Sequence, residues 1–234
     1  MTSQDISQTL KQLANPAIAE HSQRFFKTGQ GDYGEGDKFL GIRVPVLREQ
    51  AKKYQAIALT EVELLLQSSF HEERLCALLL LVRKFSKGDE AAKTAIYNLY
   101  LNNTKYINNW DLVDSSAYQI LGAYLDNKDK QLLYKLAKSS SLWERRIAVM
   151  STFYFIKNDR FEDTLAISKQ LLSDREDLIH KAVGWMLREI GKRNLAVEKT
   201  FLQSNYKKMP RTMLRYAIEK FPEPERKNYL NGTI

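Results

Sequence analysis

The sequence predicts an all-α protein, an α-solenoid in which HEAT-like helical repeats form a superhelix with a basic concave face. Three observations lead there. Gly and Pro are scarce, 10 and 5 in 234 residues, and five of the glycines crowd between Gly29 and Gly41. Helix-start signals recur between short polar turns, while no segment alternates with the period of two that a half-buried strand requires. The helices also pair, and the pairs repeat at a spacing of 34–36 residues, the unit length of helical-repeat arrays.

In chain order, Asn15-Pro16 ends one helix and starts the next, with Pro at the first helical position, where its missing N–H costs nothing. The stretch TGQGDYGEGDKFLG that follows is rich in turn formers, and a small hairpin is expected only here. Pro45 opens a helix carrying Leu47, Ala51 and Tyr54. Thr60–Glu63 and Ser141–Glu144 both fit the capping box, in which side chain and backbone donors satisfy each other. Leu78 to Val82 reads as the buried heart of a repeat. Leu112, Val113, Ile120, Leu121 and Tyr124, then Ile147, Met150 and Tyr154, follow helical spacing. About a dozen helices result.

The repeat shows best in SSFHEERLCALLLL from Ser68 against SSLWERRIAVMSTF from Ser140, which places Arg74 opposite Arg146, 72 residues on. Half that interval falls on Trp110; Lys181 and Arg215 follow Arg146 after 35 and 34 residues. In a solenoid these positions line up, so four of five are cationic. One helical turn further on the same faces stand Asp114 and Trp185. The expected organisation is a single repeat domain over 1–234, with a Gly-rich insertion at about 29–38.

Composition narrows the function. Lys and Arg number 36 against 28 Asp and Glu, giving +8 and an isoelectric point near 9.4, so nucleic acid is a reasonable partner. One cysteine, Cys76, excludes an internal disulfide and a Cys-based zinc site. The histidines His21, His71 and His180 have no ligand spacing, so no metal and no cofactor are expected. The polar N-terminus lacks a signal-peptide core, and the longest apolar run, Leu75–Val82, is too short to span a bilayer. A cytoplasmic monomer is expected, without membrane attachment.

FLGIRVPVLREQ (39–50), NNWDLVDS (108–115), SLWERRIAV (141–149) and HKAVGWMLREIGK (180–192) resemble the AlkD-type HEAT-like-repeat DNA alkylation repair proteins, over nearly the whole chain. The resemblance implies a DNA glycosylase, a hydrolase cleaving the N-glycosidic bond of cationic N3- and N7-alkylpurines in double-stranded DNA. It also places the active-site residues on Trp110, Asp114, Arg146 and Trp185. The alkylated base is already a good leaving group. Asp114 would stabilise the oxocarbenium-like sugar and place a water, Trp110 and Trp185 would cradle the deoxyribose, and Arg146 would hold a flanking phosphate. Arg43, Arg74, Lys181 and Arg215 would contact DNA beside it.

Two features depart from the family pattern. The turn Gly41-Ile42-Arg43-Val44-Pro45 carries Arg43 and Val44 where the pattern has an amide and a hydroxyl, and the Gly-rich insertion is extra. Some relatives with a hairpin near this point bind branched DNA without excising bases, so a non-catalytic binder of branched or distorted DNA is a second reading. A HEAT-type protein scaffold is a third. The residues also admit plainer roles: Asp114 as a carboxylate favoured by a helix N-terminus, Arg146 as partner of Glu144 or Asp114, and Gly184 as a close helix contact. Trp143, His180 and Cys76 read as structural.

Overall fold

In the computed structural model, which describes residues 1–234, the chain is helical throughout and packs as two units, Met1–Ile120 and Leu121–Ile234. The boundary falls inside a π-helical segment, Tyr118–Gly122. No strand forms, and the one β-type pairing is an isolated bridge between Lys38 and Phe70.

The first unit contains α1 (Ser3–Gln12), α2 (Pro16–Phe25), α3 (Val44–Lys53), α4 (Leu59–Leu66), α5 (His71–Lys87), α6 (Glu90–Asn102) and α7 (Trp110–Asp114). The Asn15-Pro16 signal works as expected: Asn15 Oδ1 accepts from the N–H groups of Ala17 and Ile18 at 3.1 and 3.2 Å. The Thr60 box does not. Helix α4 starts one residue earlier, at Leu59, and Glu63 instead accepts from Asn103 Nδ2 at 2.8 Å.

Helix α5 is the centre of this unit, packed by α3, α4, α6 and α7. Every residue from His71 to Leu81 is buried, including Glu72, Glu73 and Arg74. Buried charges persist only when paired and hydrogen-bonded, and each of these is. Glu72 accepts three consecutive backbone N–H groups, from Leu40, Gly41 and Ile42, at 2.8, 2.7 and 3.2 Å. Glu73 accepts from the hydroxyls of Ser7 and Ser68, each at 2.6 Å. Gly41 is needed here twice over: its φ is +80°, and a Cβ would lie 2.1 Å from the Asn15 carbonyl oxygen.

The second unit contains α8 (Gln131–Leu136), α9 (Leu142–Ser151), α10 (Phe153–Lys157), α11 (Glu162–Gln170), α12 (Asp177–Gly191), α13 (Leu195–Asn205), α14 (Arg211–Ala217) and α15 (Glu223–Asn231). Helix α12 is its centre, packed by α9 to α11, α13 and α14. Gly184 permits the α12–α14 approach, because a Cβ there would meet the Met213 carbonyl oxygen at 2.4 Å and Tyr216 Cβ at 2.5 Å. Ser141 caps α9 through the Glu144 N–H, but Glu144 turns its carboxylate to the Ser139 hydroxyl, at 2.5 Å, so only half of that box forms. Trp143 is half-buried rather than core.

The hydrogen bonds also correct the repeat register. At the start of α5, Ser68 Oγ accepts from the Phe70 N–H, its hydroxyl donates to Glu73, and its carbonyl accepts from Arg74 Nη1 at 3.0 Å. At the start of α9, Ser139 does the same with the Ser141 N–H, Glu144 and Arg145 Nη1, the last also at 3.0 Å. Arg74 therefore matches Arg145, and Arg146 matches Leu75. The repeat interval between these helices is one residue shorter than the side-by-side strings suggest.

Gly184→Ala should cost about 1–3 kcal/mol, as overpacking against backbone does, lowering Tm by several degrees in a thermal melt followed by circular dichroism. An unchanged Tm would show that α12 and α14 part freely.

Candidate active site

The sequence-predicted residues fall in both units, and each group is described by itself. In the first unit, Trp110 opens α7 and Asp114 closes it, one turn apart and therefore on one face. Asn109, fully buried, is the N-cap, its Oδ1 accepting from the Trp110 N–H at 2.8 Å. The Trp110 indole is half-buried. Phe26 stacks on it with centroids 5.3 Å apart at 21°, and Phe25 meets it edge-on at 6.1 Å. Asp114 lies near the buried Tyr100, whose hydroxyl is held by Ser116 Oγ at 3.0 Å; burial, and secondarily the Asp114 charge, push that phenol well above its usual range.

What fixes α7 is a buried ionic network. His71 Nε2 lies 2.8 Å from Asp111 Oδ2, and His71 Nδ1 lies 3.1 Å from Asp37 Oδ2. Arg74 Nη2 donates to Asp37 Oδ1 at 2.6 Å, and Asn109 Nδ2 reaches Asp37 Oδ2 at 3.5 Å. Burial alone would lower the His71 imidazole, but Asp111 and then Asp37 outweigh it and raise it to about 9. His71 is thus an imidazolium at neutral pH, donating from both ring nitrogens. Its ring continues an aromatic stack, 4.6 Å from Phe39 and 5.0 Å from Phe26. Asp37 belongs to the Gly-rich insertion. That segment forms turns rather than the expected hairpin, because Asp37 and the Lys38–Phe70 bridge tie it back onto α5.

Arg74 is the clear correction among the basic residues. It is 3% exposed and committed to Asp37 and the Ser68 carbonyl, so it orders the insertion and offers nothing to a phosphate. Arg43, at the N-cap of α3, is exposed as expected.

In the second unit, Trp185 lies in mid-α12, half-buried, its Nε1 donating to Glu189 Oε1 at 3.0 Å and its ring 6.1 Å from Phe153. Lys192 Nζ holds the same Glu189 oxygen at 2.6 Å. Arg146 is 4% exposed, and its Nη1 donates to the Leu178 carbonyl. Lys181 is about two-fifths exposed and pairs with Asp177 at 2.8 Å, while Arg215 is exposed on α14. His180 is the structural histidine expected, its Nε2 lying 2.6 Å from the Asp174 carbonyl oxygen. Cys76 is buried, its thiol pushed up to about 12.

The sequence reading missed Asp37, His71, Asn109, Asp111, Phe25 and Phe26. Asp37 and Asp111 lie 34 and 40 residues from His71, so no local spacing marks them. The one usable signal was FF at 25–26, two adjacent rings before a glycine-rich stretch.

Residues 6–221 match the family model described as DNA alkylation repair enzyme, and the chain belongs to that family. Three solved structures share its all-α, HEAT-like repeat fold. One is a predicted DNA alkylation repair enzyme from Enterococcus faecalis, 17% identical, with a TM-score of 0.70 over 90% of this chain and 97% of that one. AlkD2 from Streptococcus mutans is 19% identical, with a TM-score of 0.56 over 88% and 99%. The smu.31 protein of Streptococcus mutans UA159 is 18% identical, with a TM-score of 0.52 over 94% and 99%. At these identities the likeness is one of fold. No curated protein matches the chain. No helix is long and apolar enough to cross a membrane.

The raised His71 value carries a stability consequence. An imidazolium stabilised in the fold contributes fully below the unfolded value of about 6.5, and the contribution is lost as pH rises through about 9. Urea unfolding should therefore weaken by up to about 3 kcal/mol between neutral pH and pH near 10. His71→Gln should remove that slope, and an equal slope in both proteins would contradict the assignment.

Proposed function

We propose that this family member is a DNA glycosylase that hydrolyses the N-glycosidic bond of cationic N3- and N7-alkylpurines in duplex DNA. The observation that carries the reading is α7 itself: a half-buried indole and a carboxylate one turn apart, held by a charged network buried beneath them. A cationic alkylpurine leaves without being protonated, so the enzyme's task is to favour positive charge developing on the deoxyribose. The Asp114 carboxylate does this electrostatically and orients the attacking water. The Trp110 indole offers its electron-rich face to the same cation, and Phe26 behind it keeps the ring from turning away.

Trp185 would supply a second aromatic wall for the sugar. Its indole N–H is already committed to Glu189, which leaves the ring to work by its face. Arg146 would act on a flanking phosphate only where its guanidinium edge reaches past the Leu178 carbonyl. Arg43, Lys181 and Arg215 would bind the DNA backbone, which positions the duplex without reading sequence. The reading requires the residues of both units to act on one duplex.

Duplex DNA containing 7-methylguanine or 3-methyladenine should lose the free base in single-turnover assays well above the spontaneous rate. Asp114→Asn should slow release by about 100-fold or more, the usual effect of removing one electrostatic stabiliser, while leaving duplex affinity unchanged or higher. Folded wild-type protein releasing no base above background would overturn the enzymatic reading.

A further inference from the structure

The first unit holds a hollow of about 390 Å³ that the reaction above does not use. Leu59 at the start of α4 and Ala92 and Ile96 of α6 line its apolar side. Its rim is cationic, formed by Arg83, Lys84 and Lys87 on the last turns of α5, with Gln55 beside them. No acidic residue lines it.

The cations lack the partners that cations elsewhere in the chain have. Arg145 has Asp174, Arg160 has Asp126 and Lys199 has Glu225. Arg83 Nη2 and Lys87 Nζ instead donate to one neutral atom, Gln55 Oε1, at 3.3 and 3.0 Å. Arg83 Nε is buried with no partner at all. Burial holds the Lys84 ammonium below its ordinary range, as expected where no anion stands close. A helix C-terminus favours cations, but that does not explain two of them sharing one amide oxygen above an apolar hollow. An anion with an apolar portion would satisfy the rim and the hollow together.

Arg83 also borders a smaller hollow of about 140 Å³, shared with Arg48, Leu79, Val82 and Gln119. Gln119 follows Asp114 by five residues, so the cationic surface runs from Lys87 through Arg83 and Arg48 back toward α7. His71, whose ring touches Phe26 and Asp111, is the first residue of α5 and Lys87 the last. At about 1.5 Å per residue the helix spans about 24 Å, which is about seven nucleotides of one strand at 3.4 Å each.

We propose that this hollow is a second DNA contact, where Arg83, Lys84 and Lys87 hold a backbone phosphate and the attached sugar or base rests on Leu59, Ala92 and Ile96. The contact lies about seven nucleotides along the strand from the one at Trp110. The inference rests on the DNA reading above. Its ligand class is a nucleotide within a strand, because a phosphate attracts three cations and its sugar and base supply the less polar surface.

The test compares the wild type with the triple variant Arg83→Gln, Lys84→Gln, Lys87→Gln by fluorescence anisotropy. It uses a lesion-centred duplex of about 9 base pairs, too short to reach the hollow, and one of about 25. For the long duplex the variant should bind about 10-fold or more weakly, with a log-log salt slope shallower by about two to three. Short-duplex affinity and base release should be unchanged. Lys87→Gln alone, at an exposed position, should shift long-duplex binding in the same direction should the triple variant melt early. Equal long-duplex affinity and salt slope in wild type and variants would overturn the proposal, as would a glutamate-rich peptide displacing the long duplex from this rim. Wild type that binds no duplex would defeat the DNA reading. The hollow is then judged by calorimetry with deoxyadenosine monophosphate: heat lost in the triple variant keeps a nucleotide site, and no heat in the wild type refutes it.

Discussion

The arrangement of the first unit depends on one interaction, an imidazolium buried between two carboxylates. His71 joins Asp37 of the Gly-rich segment to Asp111 of α7, and Arg74 balances the second negative charge from the same turn of α5. Two cations against two anions leave the cluster neutral, which is the condition under which buried charge is tolerated. Removing any one member strands a charge in the interior, so the cluster holds together or fails as a unit. Trp110 and Asp114 stand on the short helix that this cluster fixes. A five-residue helix has little stability of its own, so its orientation must come from such tertiary anchors.

The Gly-rich insertion takes its meaning from the same cluster. A glycine-rich stretch between two helices reads as a projecting hairpin, a suitable wedge for branched DNA. In the fold its Asp37 points inward to His71 and Arg74, and Glu72 on the next position of α5 clamps the turn that follows through three backbone N–H groups. The insertion is therefore part of the support for α7. Arg74, which looks like one more cation in a DNA-facing row, is one of the bonds that make it so.

Much of the fold was legible because helix signals are local. Asn15-Pro16 and the period of apolar positions each depend on a few neighbouring residues, and they located most helices. The register of the repeat was less so. Ser139, Ser140 and Ser141 stand in a row, so the string from Ser68 can be laid on them in more than one way. Only the paired hydrogen bonds of Ser68 with Arg74 and of Ser139 with Arg145 choose between them. Trp110, Asp114, Arg146 and Trp185 stood out by spacing and by resemblance, yet the residues that hold the first two did not. Asp37, His71 and Asp111 are unremarkable one by one and far apart in the chain, and their meaning exists only after folding. Burial was equally unreadable: nothing in the string HEER announces that all four residues are interior.

The charge state of His71 tests this account most directly. Long-range proton–nitrogen correlation spectra of the ¹⁵N-labelled protein report whether each ring nitrogen carries a proton. Both His71 nitrogens should be protonated at neutral pH, losing a proton only near pH 9. A neutral ring, or titration near the free-histidine value of about 6.5, would mean that no buried imidazolium holds α7 and that the anchoring described here is wrong.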